Sequence, residues 1–482
     1  MSKIKVNELD TRSGTTITVA AGKTIAGTDI IDTTQIATDA ITSTELADNA
    51  VDTNAIADNQ VTLAKMAGLA RGKLIVGDAS GDPSALTVGT SGQYLTSDGT
   101  DASWGAVVSL PSQTSKDGYT LITDGTNASW SSGPHRNMII NGAMQIHQRG
   151  TTAAGGATNI YTPLDRWQLV QGSSFDFDVT ATINSTTVNT SKGFQTALTI
   201  TPDSTKTPTG SENGTIAYRL EGFDCQRLQQ GGADAHTFTL SFYAKAVNKT
   251  GIYSVCCIKK DAGGSGRYQV KEFTLTTSWV RQEITFEADT TALIRNSNAG
   301  DLNFYFNMTS GPDDLVAPTT AWVAGGGIAA STNQVNFMDS TSNEFHMTGV
   351  QLEIGSVATP YDHRTFGQEL AACQRYYEKS YGINVTPGAT NDKNGTYRPR
   401  HPSAGTNGVN IWFKVTKRAV PTIVFYAAVS GNTGKITNMS GGASDITCST
   451  ESYVGESEVV ANYTSTGGET NVEGHWTAES EL

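Results

Sequence analysis

The chain has 482 residues, among them 50 glycines, with 16% charged and 37% hydrophobic residues. Disordered chains ordinarily carry more charge, so this composition is typical of an all-β or fibrous protein. The net charge of −13 argues against a nucleic-acid partner, because phosphate binding requires clustered Lys and Arg side chains. The sequence has no apolar run of about 18 residues, so it predicts no membrane insertion by a helix.

The first part of the chain has no aromatic residue before Tyr94. Aromatic side chains supply much of the burial in an ordinary core, so this part must be disordered or must bury its apolar groups against other chains. Its first residues carry charge where a signal peptide has an apolar core. They therefore predict synthesis in a cytoplasm without export by the general secretory route.

A ten-residue repeat runs from residue 31 to residue 68. Its large apolar residues recur every five positions, a spacing that fits neither a helix nor a flat strand. A kinked, extended chain that contributes one apolar side chain per step to a shared axis explains this spacing. A single chain cannot bury such a row, and by analogy with fibrous proteins we expect three chains to share it. The predicted axis residues are Ile31, Ile36, Ile41, Leu46, Val51, Ile56, Val61 and Met66.

A second repeat occupies residues 69–134, where Gly92–Trp104 aligns with Gly118–Trp130. Each unit has a central Asp-Gly pair, which is a strong signal for a hairpin turn. The repeat therefore predicts a strand, a tight turn and a Trp that packs on a neighbouring segment. We interpret the Asp-Gly pairs as turns, because a calcium loop needs more acidic ligands.

Residues 135–365 show the patterns of a β-sandwich. Apolar side chains alternate with polar ones in residues 237–244 and 302–308, which predicts half-buried antiparallel strands between Gly-, Ser- and Asn-rich turns. In residues 345–354 the apolar phase changes near Gly349, which predicts a β-bulge.

A helix and a second β domain follow. Residues 366–381 are predicted to form a linker helix, because four apolar residues recur on one helical face. Strand patterns then resume, so residues 382–482 are predicted to form a small distal β domain. The residues of the helical face are Phe366, Leu370, Cys373 and Tyr377.

Several motifs resemble those of bacteriophage tail fibres. The run RNMIINGAMQIHQRGT at residues 136–151, followed by DRW at residues 165–167, is similar to the opening of a domain common in that family. The run VQLEIGSVATPYDHR at residues 350–364 is similar to the end of that domain. The run CQRYY at residues 373–377 and the ending GHWTAESEL at residues 474–482 also resemble tail-fibre sequences, as do the ten-residue repeats.

The resemblance implies an elongated, all-β, trimeric fibre. Residues 1–30 would attach the homotrimer to a baseplate or tail protein of the virion, followed by the repeat shaft and by two jelly-roll-like β-sandwich domains joined by a short helix. The first sandwich would be similar to carbohydrate-binding modules, and the C-terminal β domains would bind a host-cell surface receptor, a glycan. The protein would then be a virion component that is synthesised in the host cytoplasm.

The sequence shows no pattern of catalytic or cofactor-binding residues. The seven histidines form neither His-x-His nor His-Glu-x-x-His, and no nucleophile elbow or phosphate loop is present. The five cysteines lack the paired spacing of a disulfide framework or a zinc site. Asp176 and Asp178 lie on one strand face, where exposed carboxylates explain them better than a glycosidase pair. We predict no enzyme activity, no metal and no cofactor.

The DRW motif has both a ligand-binding and a structural interpretation. We favour the structural one, in which Asp165 and Arg166 pair with each other at the start of a strand and Trp167 lies in the core.

Sugar recognition requires exposed aromatic faces beside amide and carboxylate groups. Trp412 lies on the face of its predicted strand opposite Val409, Ile411 and Phe413, so alternation predicts that it is exposed. Even so, an aromatic residue in this domain more often belongs to the core or to a trimer interface than to a ligand site. The receptor-binding candidates are Trp412, Tyr426, Tyr453, Tyr463 and Trp476.

Two other functions compete with the tail-fibre interpretation. A tailspike-like glycan depolymerase would ordinarily need a long, repetitive parallel β-helix carrying carboxylates, and this chain is too irregular to form one. A cellular surface adhesin is less favoured, because the sequence shows no export signal.

Overall fold

A computed structural model describes residues 69–81, 83–106, 120–123, 127–131, 136–156, 160–172, 175–185, 188, 190–401, 404–440, 442–465 and 470–482. The predicted attachment segment, the ten-residue repeat and the predicted axis residues, from Ile31 to Met66, lie outside the described residues. The chain divides into two compact units, with the boundary after residue 109.

Antiparallel hairpins form the described part of residues 69–134. The first unit contains two of them and the second unit contains a third. The Asp98 carboxylate accepts hydrogen bonds of 2.8 Å from the backbone N–H groups of Thr100 and Asp101, which holds the first Asp-Gly turn. The paired strands are β1 (Leu74–Gly77) with β2 (Pro83–Leu86), β3 (Gln93–Ser97) with β4 (Ala102–Ala106), and β5 (Thr120–Thr123) with β6 (Ala128–Ser131).

Trp104 connects the two hairpins of the first unit. Its indole N–H donates a 2.7 Å hydrogen bond to the Thr87 carbonyl. Its ring covers Gly89, where a Cβ would come within 2.8 Å of the ring carbons. For this Trp, the prediction that it packs on a neighbouring segment is confirmed.

Residues 152–354 form a β-sandwich, which consists of strands, a short helix and their connecting segments. In chain order its elements are β7 (Thr152–Gly156), β8 (Ile160–Tyr161), β9 (Trp167–Gly172), β10 (Phe177–Asn184), β11 (Ala197–Pro202), β12 (Asn213–Glu221), α1 (Gly222–Cys225), β13 (Phe238–Val247), β14 (Gly251–Lys260), β15 (Gly266–Leu275), β16 (Val280–Phe286), β17 (Gly300–Ser310), β18 (Leu315–Val316), β19 (Val323–Ala324), β20 (Ala330–Ser331) and β21 (Glu344–Ile354).

Two antiparallel sheets enclose the sandwich core. Among the described residues, one sheet has the order β16-β13-β21-β11-β10-β7 and the other has the order β19-β15-β14-β17-β12-β9-β8. Phe242 of β13 and Phe306 of β17 meet edge to face between the sheets, with ring centroids 5.2 Å apart. Burial of each such side chain contributes about 1.5–3 kcal/mol. The all-β prediction is confirmed.

Strand β17 is buried on both faces rather than on one. Its outward residues Tyr305 and Asn307 are buried, as is the core-facing Phe306. The segment 311–336 covers them, and the Asn307 amide donates a 3.0 Å hydrogen bond to the Ala329 carbonyl. The predicted half-buried strand is therefore wrong here, because a distant segment covers the face that alternation assigns to solvent.

The predicted bulge in β21 is confirmed. Ser241 of β13 pairs with Gln351, whereas Tyr243 pairs with Thr348, so β21 carries one extra residue between these pairs. Gly349 lies in this bulge with a φ of 63°. A Cβ at this position would come within 2.4 Å of the Phe194 ring, so both the backbone and the packing require glycine.

The helix that follows the sandwich is shorter than predicted. Helix α2 (Phe366–Gln374) begins with a capping box between Thr365 and Gln368. Tyr377 is not on its apolar face, because residues 377–379 form a strand that pairs with the C-terminal strand. Residues 377–379 form backbone hydrogen bonds with the C-terminal strand instead of continuing the helix. No helix among the described residues is long and apolar enough to span a membrane.

The C-terminal domain is a curled antiparallel sheet. Its last strand changes partners along its length: residues 474–479 pair with β22 and β25, and residues 470–473 pair with β23 and β26. The strands are β22 (Tyr377–Lys379), β23 (Arg400–His401), β24 (Gly405–Trp412), β25 (Thr422–Ala427), β26 (Lys435–Asn438), β27 (Ser444–Val454), β28 (Glu458–Ser465) and β29 (Thr470–Glu479).

We predict that Gly349→Ala lowers the free energy of unfolding by about 1–3 kcal/mol, because it adds backbone strain and a clash with Phe194. The matched control is Gly367→Ala in α2, where a Cβ would meet no atom within 4 Å. This control should be neutral or slightly stabilising. Urea unfolding of both variants measures the difference, and equal stability of the two would contradict the assignment of Gly349 as a required glycine.

Candidate functional site

A buried charge network positions the C-terminal domain against the sandwich. The Arg149 guanidinium lies 3.2 Å from Asp165 in the sandwich and 3.2 Å from Glu481 at the end of the C-terminal domain. It also lies 3.8 Å above the centre of the Tyr377 ring in β22. A single side chain therefore contacts both domains.

Arg166 forms the second half of this network. Its guanidinium pairs with Glu481, donates a 2.6 Å hydrogen bond to the Arg219 carbonyl, and lies 3.5 Å above the Tyr376 ring centre. The predicted pairing of Asp165 with Arg166 is wrong, because Asp165 pairs with Arg149 and Arg166 pairs with Glu481. Trp167 is fully buried in the sandwich core, as predicted.

Asp165 is buried completely in this network. It accepts a 2.6 Å hydrogen bond from the Gln148 amide, whose N–H group also donates to the Tyr377 carbonyl at 2.8 Å. Burial raises the pKa of the Asp165 carboxyl to about 7, against the opposing effects of Arg149 and Gln148. The network connects the two domains, and its contribution to stability depends on the protonation of Asp165. Because it is buried, it is not accessible to a sugar ligand.

An open surface lies on the outer face of β24, β27 and β28. Alternation along β24 directs Ile411 into the core of the domain and leaves Trp412 with 66% of its surface exposed. On β27, Val454 packs against the same core, and its neighbour Tyr453 is 64% exposed. Two aromatic side chains are therefore available on one side of the sheet. We call this outer surface the aromatic face.

Polar groups surround these two aromatic side chains. Trp412 pairs across the ladder with Glu458, and Asn410 pairs with Val460. A cavity of about 220 Å³ is lined by Asn410, Tyr453, Val454, Gly455, Glu458 and Val460. An aromatic side chain, an amide and a carboxylate thus meet in one shallow pocket, which is the combination that sugar recognition requires.

The other three receptor-binding candidates do not lie on the aromatic face. Tyr463 and Trp476 retain only 2% and 6% of their surface and belong to the domain core, where Trp476 packs on Phe413 at 5.5 Å between ring centroids. Tyr426 is partly buried and meets Tyr381 edge to face at 5.9 Å. Tyr463 and Trp476 are covered by protein, and Tyr426 lies on β25, outside the aromatic face, so none of the three belongs to this site.

Sequence reasoning missed the polar members of the site. Asn410, Glu458 and Asn462 come from two strands, and the pairing register makes them neighbours. Alternation within each strand could have assigned them to the side opposite the core. The sequence offers no signal for the register itself.

The described residues do not form a metal centre or a disulfide. No group of three or more His, Cys, Asp or Glu side chains within them could hold a metal ion. All five cysteines are buried free thiols, and burial raises the pKa of Cys256 to about 12, which makes its thiol unreactive.

Comparison with known proteins gives structural likenesses only. No protein-family model matches the chain, and no curated protein matches it. Among solved structures, a family 11 carbohydrate-binding module of a Clostridium thermocellum cellulase is 13% identical with a TM-score of 0.22, and the match covers 42% of this chain and 95% of that one. The xylan-binding CBM22-1 domain of Paenibacillus barcinonensis Xyn10C is 10% identical with a TM-score of 0.21, covering 44% of this chain and 99% of that one.

A phage protein is also similar in structure. The enzymatically active domain of tailspike protein 4 of bacteriophage CBA120 is 13% identical with a TM-score of 0.23, and the match covers 46% of this chain and 22% of that one. Because all these TM-scores are low, we rest the functional proposal on this chain's own residues.

We predict that Asp165 makes stability depend on pH. Its pKa of about 7 in the folded chain exceeds its ordinary value of 3.8, so between these values the folded state binds more protons than the unfolded state. The contribution of Asp165 to the free energy of unfolding is therefore fully present below about pH 4 and is lost as the pH rises to about 7.

Denaturant unfolding of wild type and of Asp165→Asn across pH 4–8 measures this contribution. The stability of wild type relative to the variant should fall as the pH rises through this window. Asp176→Asn, which removes an exposed carboxylate paired with Lys206, is the control and should follow wild type. A constant difference between wild type and Asp165→Asn would contradict the assignment.

Proposed function

We propose that this protein is a bacteriophage tail fibre that binds a host-surface glycan through the aromatic face of its C-terminal domain. The observation that carries the proposal is the exposure of Trp412 and Tyr453, with Trp412 paired to Glu458 across the ladder and Tyr453 in one cavity with Glu458 and Asn410. Tyr and Trp side chains are enriched at interaction sites, and their flat faces suit the apolar faces of sugar rings. The carboxylate and amide supply partners for sugar hydroxyl groups.

The tail-fibre assignment is supported by the sequence motifs at residues 136–151 and 350–364. On this proposal, residues 1–30 attach the protein to a tail or baseplate protein, and the chain works as a virion component after synthesis in the host cytoplasm. The aromatic face then acts in host attachment.

We propose a binding rather than a catalytic role for this site. Glu458 is the one carboxylate among the described residues that line the pocket, whereas glycoside hydrolysis ordinarily uses a pair. The competing depolymerase function would release new reducing ends from a bound polysaccharide, which the binding role does not.

The hairpins support the proposed homotrimer. Leu74, Tyr94, Leu95 and Leu121 keep between 39% and 48% of their surface exposed in a single chain. Two-stranded hairpins of this size are marginally stable alone in water. Association of three copies would bury these side chains, in agreement with the shared axis that the ten-residue repeat predicts.

Replacement of the exposed aromatic side chains should weaken glycan binding. We expect Trp412→Ala and Tyr453→Ala each to weaken binding by about thirtyfold, the effect of about 2 kcal/mol at an interface anchor. A glycan array identifies the best ligand for the full-length wild type, and calorimetric titration then compares the variants. Phe366→Ala removes a similarly exposed aromatic residue from α2 and should bind as wild type does. Unchanged affinity in Trp412→Ala would rule out the aromatic face.

Analytical ultracentrifugation of the wild type should give a molecular mass of three times the 50.9 kDa of one chain. Leu95→Asp should shift the equilibrium towards smaller species, because it places a charge where a trimer would bury an apolar side chain. Thr100→Asp adds the same charge at an exposed position in the adjacent turn, outside the strand, and should remain trimeric. A monomeric wild type, or equal behaviour of both variants, would contradict the proposed assembly.

A further inference from the structure

The aromatic face continues past the first pocket along strand β28. Alternation directs Val459, Ala461 and Tyr463 into the core, so Glu458, Val460, Asn462 and Thr464 lie on the outer face. A second cavity of about 420 Å³ lies at the far end of this row, where Thr406, Ser449, Asn462 and Thr464 contribute to its lining. From Glu458 to Thr464 the strand spans roughly 20 Å, at about 3.3 Å per residue. The two cavities therefore lie in line on one surface.

Gly408 lies between the two cavities on the neighbouring strand β24. It is exposed and pairs with Asn462 across the ladder. A Cβ at this position would come 3.1 Å from the Asn462 side-chain oxygen and 3.2 Å from a Val460 methyl carbon. Because its φ is not positive, the backbone does not require glycine here. The missing side chain instead leaves the surface open between Asn410 and Thr406.

Asn462 supplies a buried donor at the second cavity. Its side-chain nitrogen is buried and has no hydrogen-bond partner within the described part of the chain. Rotation of the amide towards the cavity would let this N–H group donate to a ligand oxygen, which would supply the acceptor that the protein does not. Ser449 lies directly opposite Asn462 in the ladder and brings a hydroxyl group to the same place.

The charges along this surface favour an uncharged ligand. Glu458 lies at the aromatic end, and no Lys or Arg is found among the described residues that line either cavity. At the other end, the Lys435 ammonium lies 2.9 Å from the Thr447 hydroxyl, at the rim of the second cavity. An acidic sugar in the first cavity would therefore meet the like charge of Glu458, and no Lys or Arg is among the described residues that line that cavity.

We propose that this surface is a continuous groove for a linear, neutral oligosaccharide longer than a disaccharide. One part of the ligand stacks on Trp412 and Tyr453, the chain crosses the open surface at Gly408, and its far end accepts a hydrogen bond from Asn462. The proposal rests on the proposed glycan-binding function and adds the length, direction and charge class of the ligand.

Titration of the full-length protein with size-graded oligosaccharides tests the groove. The probes are neutral gluco- and galacto-oligosaccharides of one to six units and uronic-acid oligomers of the same lengths. Wild type should bind neutral oligomers with an affinity that rises beyond the disaccharide, and it should bind the uronic-acid oligomers more weakly.

Two variants separate the groove from the aromatic pocket. Gly408→Val should obstruct the groove, and Asn462→Ala should remove the far donor. Each should weaken binding of the longest oligomer by about five- to tenfold, the value of one hydrogen bond or a similar contact, and leave disaccharide binding unchanged. Lys414→Ala, in the segment after β24, is the control for nonspecific effects. It should change neither the binding of the longest oligomer nor that of the disaccharide.

The outcomes distinguish the two proposals. Affinity that stops rising at the disaccharide, or wild-type binding of the longest oligomer by Gly408→Val and Asn462→Ala, would overturn the groove and leave the aromatic pocket standing. Preference for uronic-acid oligomers would overturn the neutral ligand class. If wild type bound none of these oligomers nor any ligand on the glycan array, both the groove and the glycan-binding function would be rejected.

Discussion

The charge network between the sandwich and the C-terminal domain is the constraint on which the position of the candidate site depends. Arg166 belongs to the sandwich and Arg149 to the segment just before it, and both pair with Glu481 near the C-terminal end of the sequence. Loss of one partner from a buried pair leaves an uncompensated charge and ordinarily costs about 3–5 kcal/mol. The two domains are therefore held in one arrangement by charges that neither could bury alone. The aromatic face keeps a defined orientation relative to the sandwich.

The two β domains use their outer sheet faces differently. In the sandwich, segment 311–336 covers the outer face of β17, so Tyr305 is buried among protein groups. In the C-terminal domain, the outer face of β24 and β28 remains open, and Trp412 stands exposed. In both domains, alternation along the strand directs these side chains away from the core. The difference arises from a connecting segment that closes one face and not the other, which is why the ligand groove is assigned to the smaller domain.

Local patterns predicted much of the fold and one part of the site. The phase change near Gly349 predicted the bulge, because a bulge alters the alternation of neighbouring side chains directly. Alternation in β24 likewise predicted the exposure of Trp412. The same reasoning could not separate Trp476 from the candidates, because β29 lies in the middle of a curled sheet that covers it. Alternation identified Trp412 among the possible sugar-binding residues, and only packing separated Tyr453 from the three other candidates.

The sequence by itself determined the features that depend on neighbouring residues: the all-β character, the hairpins around Asp-Gly, the bulge, and the side of β24 that carries Trp412. The tertiary structure decided the partners of Asp165 and Arg166, the early end of helix α2, and the register that brings Glu458 beside Trp412. Side-chain alternation follows from local backbone geometry and can be read along the chain. Arg149 and Glu481, in contrast, are 332 residues apart, and only the folded chain brings them into contact.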